Sequence, residues 1–252
     1  MRVAVVVSTW SGHPSSYLFD LCGSFNCYPA GLDYALILSV NGLDYTPPAE
    51  LLPLFNEIFI RENTGFNLGA WDHAWRRLPA YDRFLFLQDD CLVRRRGWLE
   101  KFVERFETTP RCGLVGETLQ VGWDKPWAVL SSPQRIDRKD RDPIRRGAWT
   151  NFVRQTLKGW SIPEGPTGRH ITTVVQFTSR EILEEVGGYN IGRTKEEAIA
   201  AEIGFSRKIE AKGYSLVQVQ RSRHSVIGHR QWPPNNFFAR LKRSILKRAV
   251  RL

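Results

Sequence analysis

An apolar run of strand type, FLFLQDDCLV at residues 84–93, stops abruptly at two adjacent acids, Asp89 and Asp90. A buried strand that ends in paired carboxylates delivers hard oxygen ligands to the rim of an α/β sheet, where ligands bind. The chemistry open to such a pair is retention of a divalent metal. A solvated turn is the alternative that the pair alone allows, so the reading depends on the elements around it.

Those elements alternate. Strand-like runs at residues 3–7, 34–40 (YALILSV), 57–62 (EIFIRE), 84–88 and 112–119 are interleaved with helix-like stretches at 15–22, after the NTG turn at 63–65, and at 97–107, where Trp98, Phe102, Val103 and Phe106 recur at helical spacing. This is the pattern of a mostly parallel α/β sheet. From 120 to about 167 the periodicity fails: Pro, Trp, Gly and the charge run RIDRKDRDPIRR dominate, which fits either a solvated insertion or a loop covering a substrate. Order returns with a strand at 171–179, a short helix stopped by Gly187 and Gly188, a long helix closed by Gly213, and a last strand at 215–219.

The chain has 252 residues, 42% of them hydrophobic, which suits one large α/β domain with its own core. A net charge of +10 indicates an anionic partner, and no nucleic-acid-binding motif accompanies it, so no nucleic acid partner is expected. Cys22, Cys27, Cys91 and Cys112 lack zinc-site spacing and are too few for a disulfide scaffold, which fits a reducing cytoplasm. No apolar segment reaches the roughly 20 residues of a membrane span. Residues 235–252 place Phe238, Leu241, Ile245, Ala249 and Leu252 on one stripe among six cations and no acid. That is the pattern of a basic amphipathic helix, either packed on the domain or lying at an anionic membrane face.

Three segments taken in order carry a resemblance. A first strand ends in Ser8, Thr9 and Trp10, an Asn63-Thr64-Gly65-Phe66-Asn67 loop opens a helix, and the 84–88 strand ends in Asp89-Asp90. In this order they resemble the nucleotide-sugar half of glycosyltransferases with the GT-A fold, most closely the family 2 type. The likeness continues through TTVVQFTSREILEEVGGYN and the Gly213-Tyr214 pair, and its strength is collinearity, since no single motif is specific. It implies a Rossmann-like GT-A domain over 1–234, with a nucleotide-sugar half to about 119 and an acceptor half from about 120, followed by the basic tail at 235–252.

The resemblance also implies roles. Thr9, Asn41, Asn63, Gly65, Asn67, Asp89 and Asp90 stand where the family contacts the donor. Asp90, aided by Asp89, stands at the metal position, with His224 or His229 completing the site; manganese accepts imidazole beside oxygens. Counted back from Gly213, Glu202 falls at the catalytic base. The implied reaction is a metal-dependent, inverting transfer of a sugar from a nucleoside-diphosphate donor, UDP- or dTDP-linked, to a hydroxyl of a glycan or lipid-linked acceptor in polysaccharide biosynthesis, with Mn²⁺ or Mg²⁺. Three departures stand out: Gln88 where the family has an acid, Asn41 where it has an Asp for the nucleobase, and Ala201-Glu202 for its Glu-Asp pair. The missing acid also fits a catalytically inactive GT-A domain that only binds glycans or partners.

Overall fold

The computed structural model describes residues 1–132 and 143–232, with side chains from 147 onward in the second span. The expected tail helix at 235–252 and most of the charge run at 135–146 lie outside the described residues and side chains.

β1 (Val3–Trp10) is buried along nearly its whole length, and its VAVVV run supplies branched apolar side chains to both faces of a sheet. It pairs in parallel with β2 (Ala35–Asn41) on one side and β4 (Arg83–Gln88) on the other, and β2 pairs with β3 (Glu57–Arg61). Beyond β4 come β7 (Val175–Ser179), β6 (Cys112–Gly116) and β8 (Ser215–Gln218), giving the order β3-β2-β1-β4-β7-β6-β8. β7 runs antiparallel to both of its neighbours and the other pairings are parallel. The result is a mixed α/β fold with a mostly parallel seven-stranded sheet, as expected. The register sets Thr9 beside Val40, Trp10 beside Asn41 and Ser8 beside Gln88, so these residues share one carboxyl edge.

Helices α1 (Ser15–Cys27), α2 (Phe66–Arg77) and α3 (Trp98–Thr108) cover the first half. α1 runs five residues past its expected end at Cys22. Gly23 faces open space and does not terminate it, while Phe25 is buried and stacks on Trp98 at 5.3 Å between ring centroids.

The middle of the chain is more regular than its composition suggests. α4 (Trp127–Leu130) and α5 (Pro143–Gly159) occupy the stretch expected to be irregular. In α5, Trp149, Phe152, Val153 and Leu157 do recur at helical steps, but Gly147 and the surrounding arginines dilute the pattern. Val153 and Leu157 join Trp127, Leu130 and Ile162 in a second core against Ala200 and Ile203 of α7 (Lys195–Ala211). The short α6 (Arg180–Glu185), capped by Ser179, follows β7 directly.

The strand expected at 171–179 begins only at Val175. Upstream, only an isolated antiparallel bridge between Ile171 and Leu119 remains, and side chains take the other amides: Ile171 N–H donates to Ser206 Oγ, and Thr173 N–H donates to Glu202 Oε2. Two short strands without a sequence signal, β5 (Cys91–Val93) and β9 (Ile227–His229), pair antiparallel and fold the end of the described chain back onto the Asp89-Asp90 corner.

Candidate active site

At the carboxyl ends of β1, β2 and β4 lies a cleft of about 230 Å³ lined by residues that include Thr9, Trp10, His13, Asn63, Asn67 and Asp89. Gly65 caps α2 with φ of +79°, a left-handed conformation that glycine adopts without steric penalty. No side chain caps this helix, so its first amide groups and the positive end of its dipole are left for an anion. Gly69 permits the tight approach behind it, since a side chain there would collide with the Thr64 carbonyl.

Asp89 is almost fully buried and already engaged. It accepts from Thr9 Oγ1 at 2.6 Å, and His13 Nδ1 lies 2.9 Å from Oδ1 and 3.1 Å from Oδ2. Hydrogen bonding to Asp89 raises the His13 pKa against the opposing effect of burial. His13 carries no motif in the sequence; only its position, just past the first strand, points to the cleft.

Asp90 is held differently. The β5–β9 pairing sets Cys91 opposite His229, which brings His229 Nε2 to 3.0 Å from Asp90 Oδ1. The two groups do not align as a hydrogen bond, and this buried carboxylate oxygen has none. His229 Nδ1 accepts from the Gln231 N–H at 3.1 Å, which places the proton of the neutral ring on Nε2, facing the carboxylate. Trp232 stacks on the His229 ring at 4.9 Å. His224 sits farther back: its ring centroid is 6.4 Å from that of His229, and its Nε2 lies 3.1 Å from Thr118 Oγ1. Burial, followed by the charges of His229, Arg94 and Arg223, pushes the His224 pKa down to about 4.

The segment carrying both histidines is anchored by a residue that sequence reasoning missed. Glu117, just past β6 and fully buried, accepts from three consecutive backbone N–H groups: Ser225 at 3.0 Å, Val226 at 3.1 Å and Ile227 at 2.6 Å. Burial pushes its carboxyl up to about 7 even though these bonds pull the other way.

Asn41, expected to face a nucleobase, has both ends of its amide occupied. Its Nδ2 donates to the Phe66 carbonyl at 2.8 Å and its Oδ1 accepts from Arg61 Nη1 at 2.5 Å. Its neutral amide thus ties the helix-opening loop to β2 and β3.

Glu202, in the middle of α7, has a side chain 17% exposed. Oε1 lies 3.0 Å from His170 Nε2, and Oε2 accepts from the Thr173 N–H at 3.0 Å and from the Thr173 hydroxyl. His170 Nδ1 faces the Gly168 carbonyl at 2.7 Å and must donate to it, so one proton lies between Nε2 and Oε1. Burial alone would raise the Glu202 pKa, but His170 and then Thr173 outweigh it and hold the group below the usual carboxylate range. The Thr173 carbonyl, on the other side, accepts from Asn67 Nδ2 at 2.9 Å and Gln88 Nε2 at 2.7 Å, both residues of the cleft.

Scans of the chain against protein-family models and of curated proteins find no match. Among solved structures, the fold is similar to that of mannosyltransferase PcManGT from Pyrobaculum calidifontis in complex with GDP-Man and Mn²⁺, with a TM-score of 0.51 and 17% sequence identity. The match covers 86% of this chain and 54% of that one, so the chain spans about half the length of this structural neighbour, and the likeness is one of fold: a mixed α/β domain with a mostly parallel central sheet.

Proposed function

We propose that the chain is a metal-dependent, inverting glycosyltransferase that moves a sugar from a nucleoside-diphosphate donor, UDP- or dTDP-linked, to a hydroxyl of a glycan or lipid-linked acceptor. The observation that carries this reading is the buried, unbonded Asp90 carboxylate oxygen facing His229 Nε2 at the end of the central strand, beside a cleft floored by an uncapped helix terminus.

Two protein ligands of this kind fit Mn²⁺ or Mg²⁺. Among the described residues no group of three or more His, Cys, Asp or Glu forms a closed cage, and such ions are commonly shared between one or two carboxylates, water and substrate phosphates. When bound, the ion would neutralise charge developing on the departing diphosphate. Binding through His229 Nε2 would require the ring proton to move to Nδ1, so loading would exchange the Gln231 N–H bond for a metal bond. Asp89, Thr9 and His13 line the donor side, while the α2 amides offer donors to its phosphates.

Glu202 would take the proton of the acceptor hydroxyl. Three of roughly four lone-pair positions on a carboxylate are occupied here, by His170 and twice by Thr173, leaving one on Oε1. A single carboxylate acting on the face opposite the leaving group gives inversion without a covalent intermediate.

The test is a thermal-shift panel of UDP, dTDP, GDP and CMP with Mn²⁺, repeated on Asp90→Ala. Selective stabilisation by UDP or dTDP is expected in the wild type by mass action, and its loss is expected in a variant that still folds. GDP is the informative competitor, because the structural neighbour holds GDP-Man. Stabilisation that is unchanged in EDTA or in Asp90→Ala would remove the metal from the proposal.

A further inference from the structure

The β5–β9 pair carries more than a metal ligand. The Arg94 N–H donates to the Val226 carbonyl at 3.0 Å, continuing the ladder of Cys91–Val93, so the run Arg94-Arg95-Arg96 leaves the sheet next to the loop that bears Arg221 and Arg223. Gly228 makes room for this: any side chain there would collide with the Arg94 guanidinium, which lies across β9 one residue from His229. Arg94 and Arg223 are both close enough to His224 to disfavour its protonation.

None of these five arginines holds a carboxylate among the described residues, whereas Arg76, Arg83, Arg154 and Arg230 each do. The stretch 219–232 contains no acid. Nor does any of the five line the donor cleft. Arg94 and Arg223 converge on His224 without a carboxylate partner, and guanidinium groups held without counter-charge are suited to an anion that they can grip in bidentate fashion.

We propose that Arg94, Arg95, Arg96, Arg221 and Arg223 form a phosphate-binding rim beside the candidate metal site, and that the phosphate belongs to the acceptor. This rests on the glycosyltransferase reading and narrows its acceptor to a phosphate-bearing one. The donor's own diphosphate has the α2 amides and the Asp90 site to hold it. The rim continues from the end of β5 and from the loop before β9, outside the cleft that would hold the donor, so a second anion is left for the acceptor.

Isothermal titration of the full chain with octyl phosphate and with glucose 1-phosphate, at low salt, with and without saturating UDP and Mn²⁺, tests the rim. Both probes should bind whether or not nucleotide is present, with octyl phosphate the tighter if the natural phosphate is lipid-borne. Arg94→Ala/Arg223→Ala should weaken binding at least about tenfold, a loss of charge-assisted bonds, while the control Arg76→Ala should leave it unchanged. If the double variant misfolds, Arg95→Glu/Arg96→Glu, which changes two exposed side chains, should give the same weakening. Full displacement of the phosphates by UDP and Mn²⁺ would reassign the arginines to the donor and overturn the proposal. So would arginine-dependent binding to phosphatidylglycerol vesicles without binding of either small phosphate, which marks a general membrane-facing charge. Nucleotide binding is read in the same titrations, so failure of the glycosyltransferase reading shows as absent nucleotide binding whatever the phosphates do.

Discussion

Removing the Glu117 carboxylate should loosen the site from behind. Glu117→Ala leaves three consecutive N–H groups, now bonded at 2.6–3.1 Å, without acceptors in a fully buried setting. An orphaned buried donor costs about 1–3 kcal/mol, and relief of the carboxylate's own desolvation offsets part of the sum, which leaves a net loss of about 3–5 kcal/mol. Against a typical stability of about 5–15 kcal/mol that is severe but survivable. Glu117→Gln keeps one acceptor for Val226 and Ile227 but turns a donor toward Ser225, for a loss of about 1–3 kcal/mol. The pH dependence has a defined sign. With its carboxyl raised from 4.5 to about 7, the folded chain binds more protons than the unfolded chain between those values. The group's contribution is therefore fully present below the unfolded value and declines as pH rises through the folded one. Gln does not titrate, so the deficit of Glu117→Gln should narrow from about pH 5 to about pH 8. Urea unfolding followed by circular dichroism measures both effects, and a Mn²⁺-dependent thermal shift reports whether His229 is still presented to Asp90. A loss below about 1 kcal/mol in Glu117→Ala, or undiminished Mn²⁺ binding in a destabilised variant, would refute the anchoring argument.

Two further outcomes follow from the same geometry. Glu202→Gln retains size and most hydrogen bonds but cannot accept a proton, so transfer should fall by about 10²- to 10⁴-fold with nucleotide binding retained; loss of nucleotide affinity instead would assign Glu202 to the donor side through Thr173. Deleting residues 235–252, which lie outside the described residues, should release the protein from anionic liposomes, since each cation near such a surface is worth about 1 kcal/mol, yet spare transfer to a small acceptor. Unfolding of the truncated chain would show instead that its apolar stripe is part of the core.

What was legible in the sequence follows from period and length. The sheet could be read because β1, β2 and β4 are long apolar runs ended by polar residues, and their parallel register places Thr9, Asn41 and Asp89 on one edge. β5 and β9 could not be read, because three residues carry no period, and with them was lost the means to tell His229 from His224. α5 was hidden by the arginines and glycine in its sequence, although its buried positions Val153 and Leu157 keep helical spacing. Glu117 and His170 were invisible for another reason. A lone acid after a strand or a lone histidine in a loop has no signature until the chain segments it contacts, 225–227 and Glu202, are folded against it.

The departure at Gln88 changes meaning once the fold is known. An acid at that position could not donate to the Thr173 carbonyl, whereas the Gln88 amide does so at 2.7 Å, beside Asn67 at 2.9 Å. Thr173 then uses its N–H and hydroxyl on Glu202. A single residue is thus bonded on one side to two amides of the cleft and on the other to the proposed base. An amide at Gln88 is what such a bridge requires, because a half-buried carboxylate facing a carbonyl oxygen would be repelled and could not donate to it. Gln88 in place of the expected acid therefore removes one candidate ligand while linking the cleft to Glu202 through Thr173. It also weakens the case for an inactive domain, since that case rested on reading Gln88 as a missing ligand alone. Asn41 follows the same logic. Its amide donates to the Phe66 carbonyl and accepts from Arg61, and an aspartate there could make only the second of these bonds.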